Sequence, residues 1–127
     1  MPTVADYRVI RDTTFTLGIN KEESFSFQVP NDLVISQNAA RAILNFKYDP
    51  SSNANNLRFE VNLNGQLVTS LSNIDNGLRR FESETFNSTI LEVNGNNTLQ
   101  FRVEASSGNA SGSIGFSDIV VWYQVPA

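Results

Sequence analysis

The sequence predicts an all-β fold, an antiparallel jelly-roll β-sandwich of eight or nine strands. Two segments, 56–69 and 91–105, alternate apolar and polar residues and carry an Asn-Gly pair at a strand end, a pattern typical of β-hairpins. Turn signals recur about every 8–12 residues, as they do in sandwiches and barrels. No sustained helical period interrupts them. We therefore expect residues 1–127 to form a single β-sandwich domain.

Each strand is predicted from a row of apolar side chains at every second position, because successive side chains of a strand point to opposite faces. In chain order, strands are predicted at 14–19, 24–29, 40–48, 57–63, 66–71, 78–86, 90–93, 98–105 and 114–125. The clearest inward rows are Phe15-Leu17-Ile19, Phe25-Phe27-Val29, Ala42-Leu44-Phe46-Tyr48, Leu57-Phe59-Val61-Leu63 and Leu99-Phe101-Val103-Ala105.

The turns between these strands predict which strands pair. The first two strands are expected to form a hairpin through the turn at 20–23, and Asn64-Gly65 and Asn94-Gly95 are expected to close two more. Charged pairs on the polar faces, Arg58 with Glu60 and Arg102 with Glu104, predict cross-strand ion pairs on a solvated face. Three polar loops, at 49–56, 72–77 and 106–113, complete the chain.

The last strand has two apolar faces. Val120 and Trp122 interrupt the alternation of Ile119, Val121 and Tyr123, whereas a strand with one wet face should alternate cleanly. The interpretation we favour is a central strand covered by the sandwich itself or by a loop. The alternative is a ligand groove that uses Trp122, or a homo-oligomer contact through the 119–123 strand.

Composition excludes several classes of function. The net charge is −4 with nine basic residues and no basic stripe, which argues against nucleic-acid binding and against an anionic membrane surface. No segment approaches the roughly 20 apolar residues that membrane insertion needs. The absence of Cys and His excludes thiolate zinc sites and Ser-His nucleophiles built from this chain alone. No signal peptide is visible, so the default expectation for localisation is the cytoplasm.

From Leu57 onward the order of features resembles galactose-binding-like β-sandwiches, which include many carbohydrate-binding modules. An alternating strand ends in an Asn-Gly turn at 61–68, a Gly-x-x-x-Leu-x-Phe-x-Val strand entry follows at 95–103, and Phe116-Ser-Asp-Ile-Val-Val121 opens the last strand. The resemblance covers about half of the chain. It implies a jelly-roll sandwich, frequently non-catalytic, that binds glycans through loops at one end, and it carries over no binding site.

The candidate ligand-binding residues come from the polar loops and the last strand. Asn is abundant, with 16 residues, and its amide both favours turns and makes bidentate hydrogen bonds to sugar hydroxyls. We predict that a glycan or other polar ligand contacts Asn53, Asn55, Asn73, Asp75, Asn76 and Trp122.

A structural calcium ion is a further expectation, with Asp49, Asp75 and Asp118 as the carboxylates to supply it. Asp49, Ser51, Asn53, Asn55 and Glu60 also occupy positions 1, 3, 5, 7 and 12 of an EF-hand-like loop. That match lacks the glycine such a loop needs at its sixth position, where Ala54 stands, and strands flank it. The EF-hand interpretation is therefore disfavoured.

Glu82 and Glu84 are the candidate catalytic pair. Two apart on a predicted strand, they share a face at about 6.5–7 Å, near the separation of paired glycosidase carboxylates. Arg79 and Arg80 beside them favour an ordinary charge ladder instead. We accordingly predict a non-catalytic binding module for a carbohydrate or similar polar ligand. The alternative is an oligomeric structural or assembly protein, such as a virion, tail or shell component.

Overall fold

Nine β-strands form two antiparallel sheets in the computed structural model, which describes residues 3–34, 41–77 and 79–126. The strands are β1 (Thr3–Arg11), β2 (Phe15–Gly18), β3 (Lys21–Phe27), β4 (Arg41–Pro50), β5 (Leu57–Leu63), β6 (Gln66–Ile74), β7 (Arg80–Asn87), β8 (Asn97–Ala105) and β9 (Ser113–Pro126). One 3-10 helix, Ser88–Ile90, follows β7. The five-stranded sheet has the order β1-β9-β4-β7 with β2 also paired to β9, and the four-stranded sheet has the order β3-β8-β5-β6. The predicted sandwich is confirmed.

The pairing is that of a jelly roll, in which one long hairpin is rolled up around its tip. Strands β1 and β2 pair with β9, β3 with β8, β4 with β7, and β5 with β6. The tip is the Asn64-Gly65 turn, where both residues have left-handed backbone angles, φ 52° and 81°. A two-residue turn of this kind matches the twist of the flanking strands, which is why Asn-Gly is favoured there. This predicted hairpin is confirmed.

The hairpin predicted between the first two strands is wrong. β2 pairs with β9 in the five-stranded sheet, whereas β3 pairs with β8 in the four-stranded sheet. The two apolar rows therefore face each other across the core, where the Phe15 and Phe25 rings approach to 5.1 Å between centroids. Burial of both rows against each other explains the same alternation that a hairpin would show.

The hairpin predicted at Asn94-Gly95 is also wrong, because residues 90–93 are not a strand. The 3-10 helix and an irregular segment cross instead from one sheet to the other and bring the buried Leu91 over the end of the core. The fully buried Asn97 holds this crossing in place. Its Oδ1 accepts hydrogen bonds from the Glu92 N–H at 2.7 Å and from Asn64 Nδ2 at 2.9 Å.

β1 was not predicted, because its alternation is hidden by side chains that are exposed on both faces. It pairs with β9, which makes β9 a central strand between β1 and β4. The centroids of the Tyr7 and Trp122 rings lie 4.9 Å apart, on the outer face of the sheet. The second apolar face of β9 is thus partly covered within the sandwich itself, and a homo-oligomer contact through 119–123 stays a prediction. The predicted strand starts at Ala40 and Leu78 lie outside the described residues.

Phenylalanine rings fill the space between the sheets. Phe46, Phe59, Phe101 and Phe116 are fully buried, and neighbouring centroids lie 5.0–6.1 Å apart. The outer face of the four-stranded sheet carries the predicted ion pairs, joined as a network of Arg58 with Glu60 and Glu104, and Arg102 with Glu104 and Glu22. Within the described ranges, no helix has the length and apolar character to cross a membrane.

Candidate functional site

The three Asn- and Ser-rich loops meet at one end of the sandwich. The backbones of Asn55 and Ser111 exchange two hydrogen bonds of 3.0 Å, which tie loop 49–56 to loop 106–113. The Asn76 N–H donates to the carbonyl of Ala54 at 2.8 Å, which ties in the predicted loop 72–77, whose first three residues are in fact the end of β6. Five of the predicted ligand-binding residues are thereby gathered at this end: Asn53, Asn55, Asn73, Asp75 and Asn76.

Some of these side chains hold the loops together. Asp75 Oδ1 accepts a hydrogen bond from the Asn56 N–H at 3.0 Å, and Asn55 Nδ2 donates to the Asn109 carbonyl at 3.0 Å. Asn53 Oδ1 accepts from Ser51 Oγ at 2.7 Å. The side-chain amides of Asn73 and Asn76, by contrast, form no hydrogen bond within the part of the chain that the structure describes. Both residues line a cleft. These two amides are the ones best placed to meet a ligand.

Gly112 makes the close approach of two loops possible. Its φ is +91°, and a Cβ at this position would lie 2.6 Å from Ala54 Cα and 2.7 Å from Ser51 Oγ. Only glycine fits both the backbone angle and the space. The loop end is therefore shaped by contacts between distant segments rather than by the loops' own turn chemistry.

Two clefts open at the loop end. The first, of about 540 Å³, lies on the outer face of the five-stranded sheet, and the second, of about 340 Å³, lies where β6 and β7 approach the loops. Pro50 lines both. The first is lined by Asp12, Thr13, Thr14, Thr16, Lys47, Asp49, Pro50, Ser51, Arg79, Ser113, Gly115, Ser117 and Asp118. The second is lined by Tyr48, Pro50, Leu71, Ser72, Asn73, Ile74, Asp75, Asn76, Gly77 and Arg80.

Two ion pairs cross the first cleft. Lys47 Nζ lies 3.5 Å from Asp118 Oδ2, and an Arg79 guanidinium nitrogen lies 3.5 Å from Asp49 Oδ2. All four side chains are well exposed, so each pair adds little stability and its groups remain able to bond elsewhere. Asp118 has a left-handed φ of 53° at a β-bulge, which turns its carboxylate toward the cleft.

The second cleft combines apolar walls with a few polar groups. Among its apolar lining residues Tyr48 and Ile74 are almost fully buried and Leu71 is half-buried, and the side-chain amides of Asn73 and Asn76 supply hydrogen-bonding groups. Burial raises the pKa of the Tyr48 phenol, an effect that the nearby Arg80 guanidinium opposes. The hydroxyl therefore stays protonated and able to donate at neutral pH. Small-molecule sites commonly have this composition of apolar walls with a few convergent polar groups.

The structure does not bring all three predicted calcium ligands together. Asp49 and Asp118 line the first cleft, whereas Asp75 lines the second. In the ranges that the structure describes, no group of three or more acidic residues is close enough to hold a metal ion. The EF-hand-like pattern fails as well, because Glu60 lies within β5 and pairs with Arg58 at 3.1 Å.

Trp122 lies away from the loop end. It is nine residues along β9 from Ser113, or about 30 Å at the usual rise of a strand. Its indole nitrogen is buried and has no hydrogen-bond partner within the described residues. The length of β9 thus separates Trp122 from the five Asn and Asp residues with which it was grouped.

Comparison with known proteins identifies the family. A family model described as "Cellulose synthase BcsB, second CBM domain", a carbohydrate-binding module, matches residues 11–121. The chain belongs to this family. The resemblance to carbohydrate-binding modules, inferred from the turn at 61–68 and the strand entry at 95–103, is thereby confirmed. No curated protein sequence matches the chain significantly.

Solved structures share the fold of this carbohydrate-binding-module domain. BuGH86 in complex with neoagarooctaose aligns with a TM-score of 0.62 at 15% identity, over 98% of this chain and 19% of that one. BpGH86A, a β-porphyranase from Bacteroides plebeius, aligns at 0.60 and 16%, over 97% and 21%. The EclA C-terminal domain, a sugar-binding protein, aligns at 0.50 and 10%, over 95% and 79%. This chain therefore spans about a fifth of the length of the first two.

The carboxylate pair of this module lies apart from both clefts. Glu82 and Glu84 are on the inward side of the edge strand β7, opposite Phe46 and Leu44. Thr69 Oγ1, across the open edge of the sandwich, lies 3.5 Å from Glu84 Oε1. Arg79, expected to form a ladder with these residues, pairs instead with Asp49.

Replacing Glu82 by Gln is expected to remove a pH dependence of stability. Burial, and then the charge of Glu84, raise the pKa of Glu82 above its ordinary value of 4.5. The folded chain therefore binds this proton more tightly than the unfolded chain does. The stabilisation is present below the ordinary pKa and is lost as pH rises through the raised one. Urea unfolding across this range should show the variant gaining stability relative to the parent as pH rises; a constant difference would contradict the assignment.

Three residues of the first cleft and its rim escaped prediction. The sequence predicts Arg79 as part of a charge ladder, and Lys47 and Phe81 are not among the predicted site residues. Phe81 is 60% exposed, and Lys47 Nζ lies 5.7 Å from the centre of its ring. A signal was present in the Arg79-Arg80-Phe81 sequence, whose alternation on a strand must send side chains to both faces.

Proposed function

We propose that this domain is a non-catalytic carbohydrate-binding module whose ligand binds in the second cleft, against the end of β6 and residues 75–77. The observation that carries the proposal is the pair of side-chain amides of Asn73 and Asn76, which have no hydrogen-bond partner among the described residues, beside the half-buried Leu71. Sugars present hydroxyls on their edges and C–H groups on their faces. Amides and a guanidinium suit the hydroxyls, and an apolar wall suits the C–H groups.

The charges of the cleft favour a neutral glycan. Its charged lining residues are Asp75 and Arg80, whose charges are opposite in sign. The whole chain carries a net charge of −4. A polyanionic glycan would meet this negative field without a cluster of cations to offset it. The family description makes cello-oligosaccharides the first probes, and the glycan bound to BuGH86 makes neoagaro-oligosaccharides the second.

The binding test is a glycan array followed by calorimetric titration of the glycans that bind. Asn76→Ala removes a side-chain amide that has no hydrogen-bond partner among the described residues, so we expect a loss of affinity of about tenfold without a change in stability. Asn96→Ala is the matched control, since Asn96 is exposed at the opposite end of the sandwich and its side chain accepts a hydrogen bond from Gln28 there. It should bind like the parent.

Two results would overturn the proposal. One is the absence of binding to any neutral glycan by protein that is folded by circular dichroism. The other is equal loss of affinity in the Asn76 and Asn96 variants. Running the array with calcium and with a chelator also tests the expectation that an ion orders the loops.

A further inference from the structure

The two clefts adjoin along two strands. In β4, Lys47 and Asp49 line the first cleft, Tyr48 lines the second, and Pro50 lines both. In the segment leading into β7, Arg79 lines the first and Arg80 the second. Adjacent residues of a strand point to opposite faces, so the clefts occupy the two sides of one corner of the sandwich. A ligand longer than either cleft could reach the other across Pro50.

The first cleft has the chemistry of a polyol site, because charged and hydroxyl side chains make up most of its lining. Hydroxyl groups line it on several sides, among them Thr16, Ser51, Ser113 and Ser117. Two of its three carboxylates, Asp49 and Asp118, are paired with its two cations through exposed contacts of 3.5 Å, which a sugar hydroxyl could replace with charge-assisted hydrogen bonds. Pro50 has the one apolar side chain among its described lining residues. This cleft should therefore add affinity to a ligand already held elsewhere.

Phe81 extends the first cleft. It is paired directly with Lys47 in the sheet and its ring is among the most exposed large apolar groups of the described residues. An exposed ring beside hydroxyl-binding groups offers a flat apolar surface on which the C–H face of a pyranose can stack. The carboxylates outnumber the cations, so this surface too favours a neutral chain.

We propose that a single extended neutral glycan occupies both clefts, held primarily in the second and crossing Pro50 into the first. This inference rests on the proposed function of the second cleft and names its ligand more closely. The ligand is a linear polysaccharide recognised along its length, rather than a single terminal sugar. The side-chain amides of Asn73 and Asn76, which have no hydrogen-bond partner among the described residues, make the second cleft the one that a short oligosaccharide fills first.

The test uses two adjacent arginines as a matched pair. Arg79 and Arg80 are both exposed and have the same side chain, and they differ in the cleft they line. Affinities are measured by calorimetry for the parent and both Ala variants with a neutral oligosaccharide series from disaccharide to octasaccharide. In the parent, affinity should rise with length and then level off. Arg80→Ala should weaken binding at every length.

Arg79→Ala should leave the short oligosaccharides unaffected and weaken the long ones by about fivefold to tenfold. Phe81→Ala should show the same dependence on length. A parent affinity independent of length, or equal effects of the two arginine variants at all lengths, would overturn the two-cleft proposal. Absence of binding at every length would instead contradict the proposed function, so the two failures are distinguishable.

Discussion

Replacing Phe116 by Ala is expected to lower the free energy of unfolding by about 3–5 kcal/mol, enough to unfold a large fraction of a marginally stable domain at 37 °C. The ring is fully buried at the centre of the core, where its centroid lies 5.0 Å from that of Phe101 and 5.5 Å from that of Phe59. Both sheets contribute to this contact, so the cavity left by the ring cannot be closed by moving one side chain. Urea unfolding followed by tryptophan fluorescence measures the change.

Phe81→Ala is the matched control for this substitution. It removes the same side chain from an exposed position on β7, where the change should stay within about 0.5 kcal/mol. Similar losses for both variants would contradict the assignment of Phe116 to the core. The comparison also shows that a binding defect of Phe81→Ala does not come from unfolding.

Asn97→Ala is expected to cost roughly 2–3 kcal/mol, the second largest effect. The side chain is fully buried, and its Nδ2 donates to the Glu92 carbonyl at 3.1 Å while Oδ1 accepts from the Glu92 N–H at 2.7 Å. Alanine leaves these partly buried backbone groups without their partner. Because the crossing segment depends on them, its amide protons should exchange faster as well, which hydrogen exchange can measure.

Asn97→Asp separates the acceptor role of the Asn97 side chain from its donor role. An aspartate keeps an oxygen for the Glu92 N–H but turns the other oxygen toward the Glu92 carbonyl, which repels it. Protonation restores a donor, so the Asp variant should recover part of its stability on mild acidification. Asn96→Ala, one residue earlier and exposed, should change stability little. Equal losses at both positions would show that Asn97 has no special role.

The loop end illustrates how far residue types can predict a site. Asn73 and Asn76 were predicted from the affinity of amides for turns and for hydroxyls, and they line the second cleft. Asn55 and Asp75 were chosen on the same grounds, yet their side chains bond to the backbone of other loops. Composition distinguishes a polar loop from an apolar strand. It does not predict which side-chain amide already has a hydrogen-bond partner within the protein.

The sequence by itself determined the sheets' inner faces, the hairpin tip and the broad class of function. Period-two alternation depends on the backbone alone, and Asn64-Gly65 depends on left-handed backbone angles that those two residues tolerate best. Both are local properties. The class of function followed because strand and turn patterns at 61–68 and 95–103 resemble those of carbohydrate-binding modules, and the family match agrees.

Only the tertiary structure decided which strands pair and where the clefts lie. The apolar rows that contain Phe15 and Phe25 alternate in the same way whether their strands form a hairpin or lie in facing sheets. The packing of the whole core decides between these two arrangements. The same packing sends Arg79 and Arg80 into different clefts and carries Trp122 far along β9 from the loops. Pairing and cleft formation depend on residues far apart in the chain, so no local pattern can specify them.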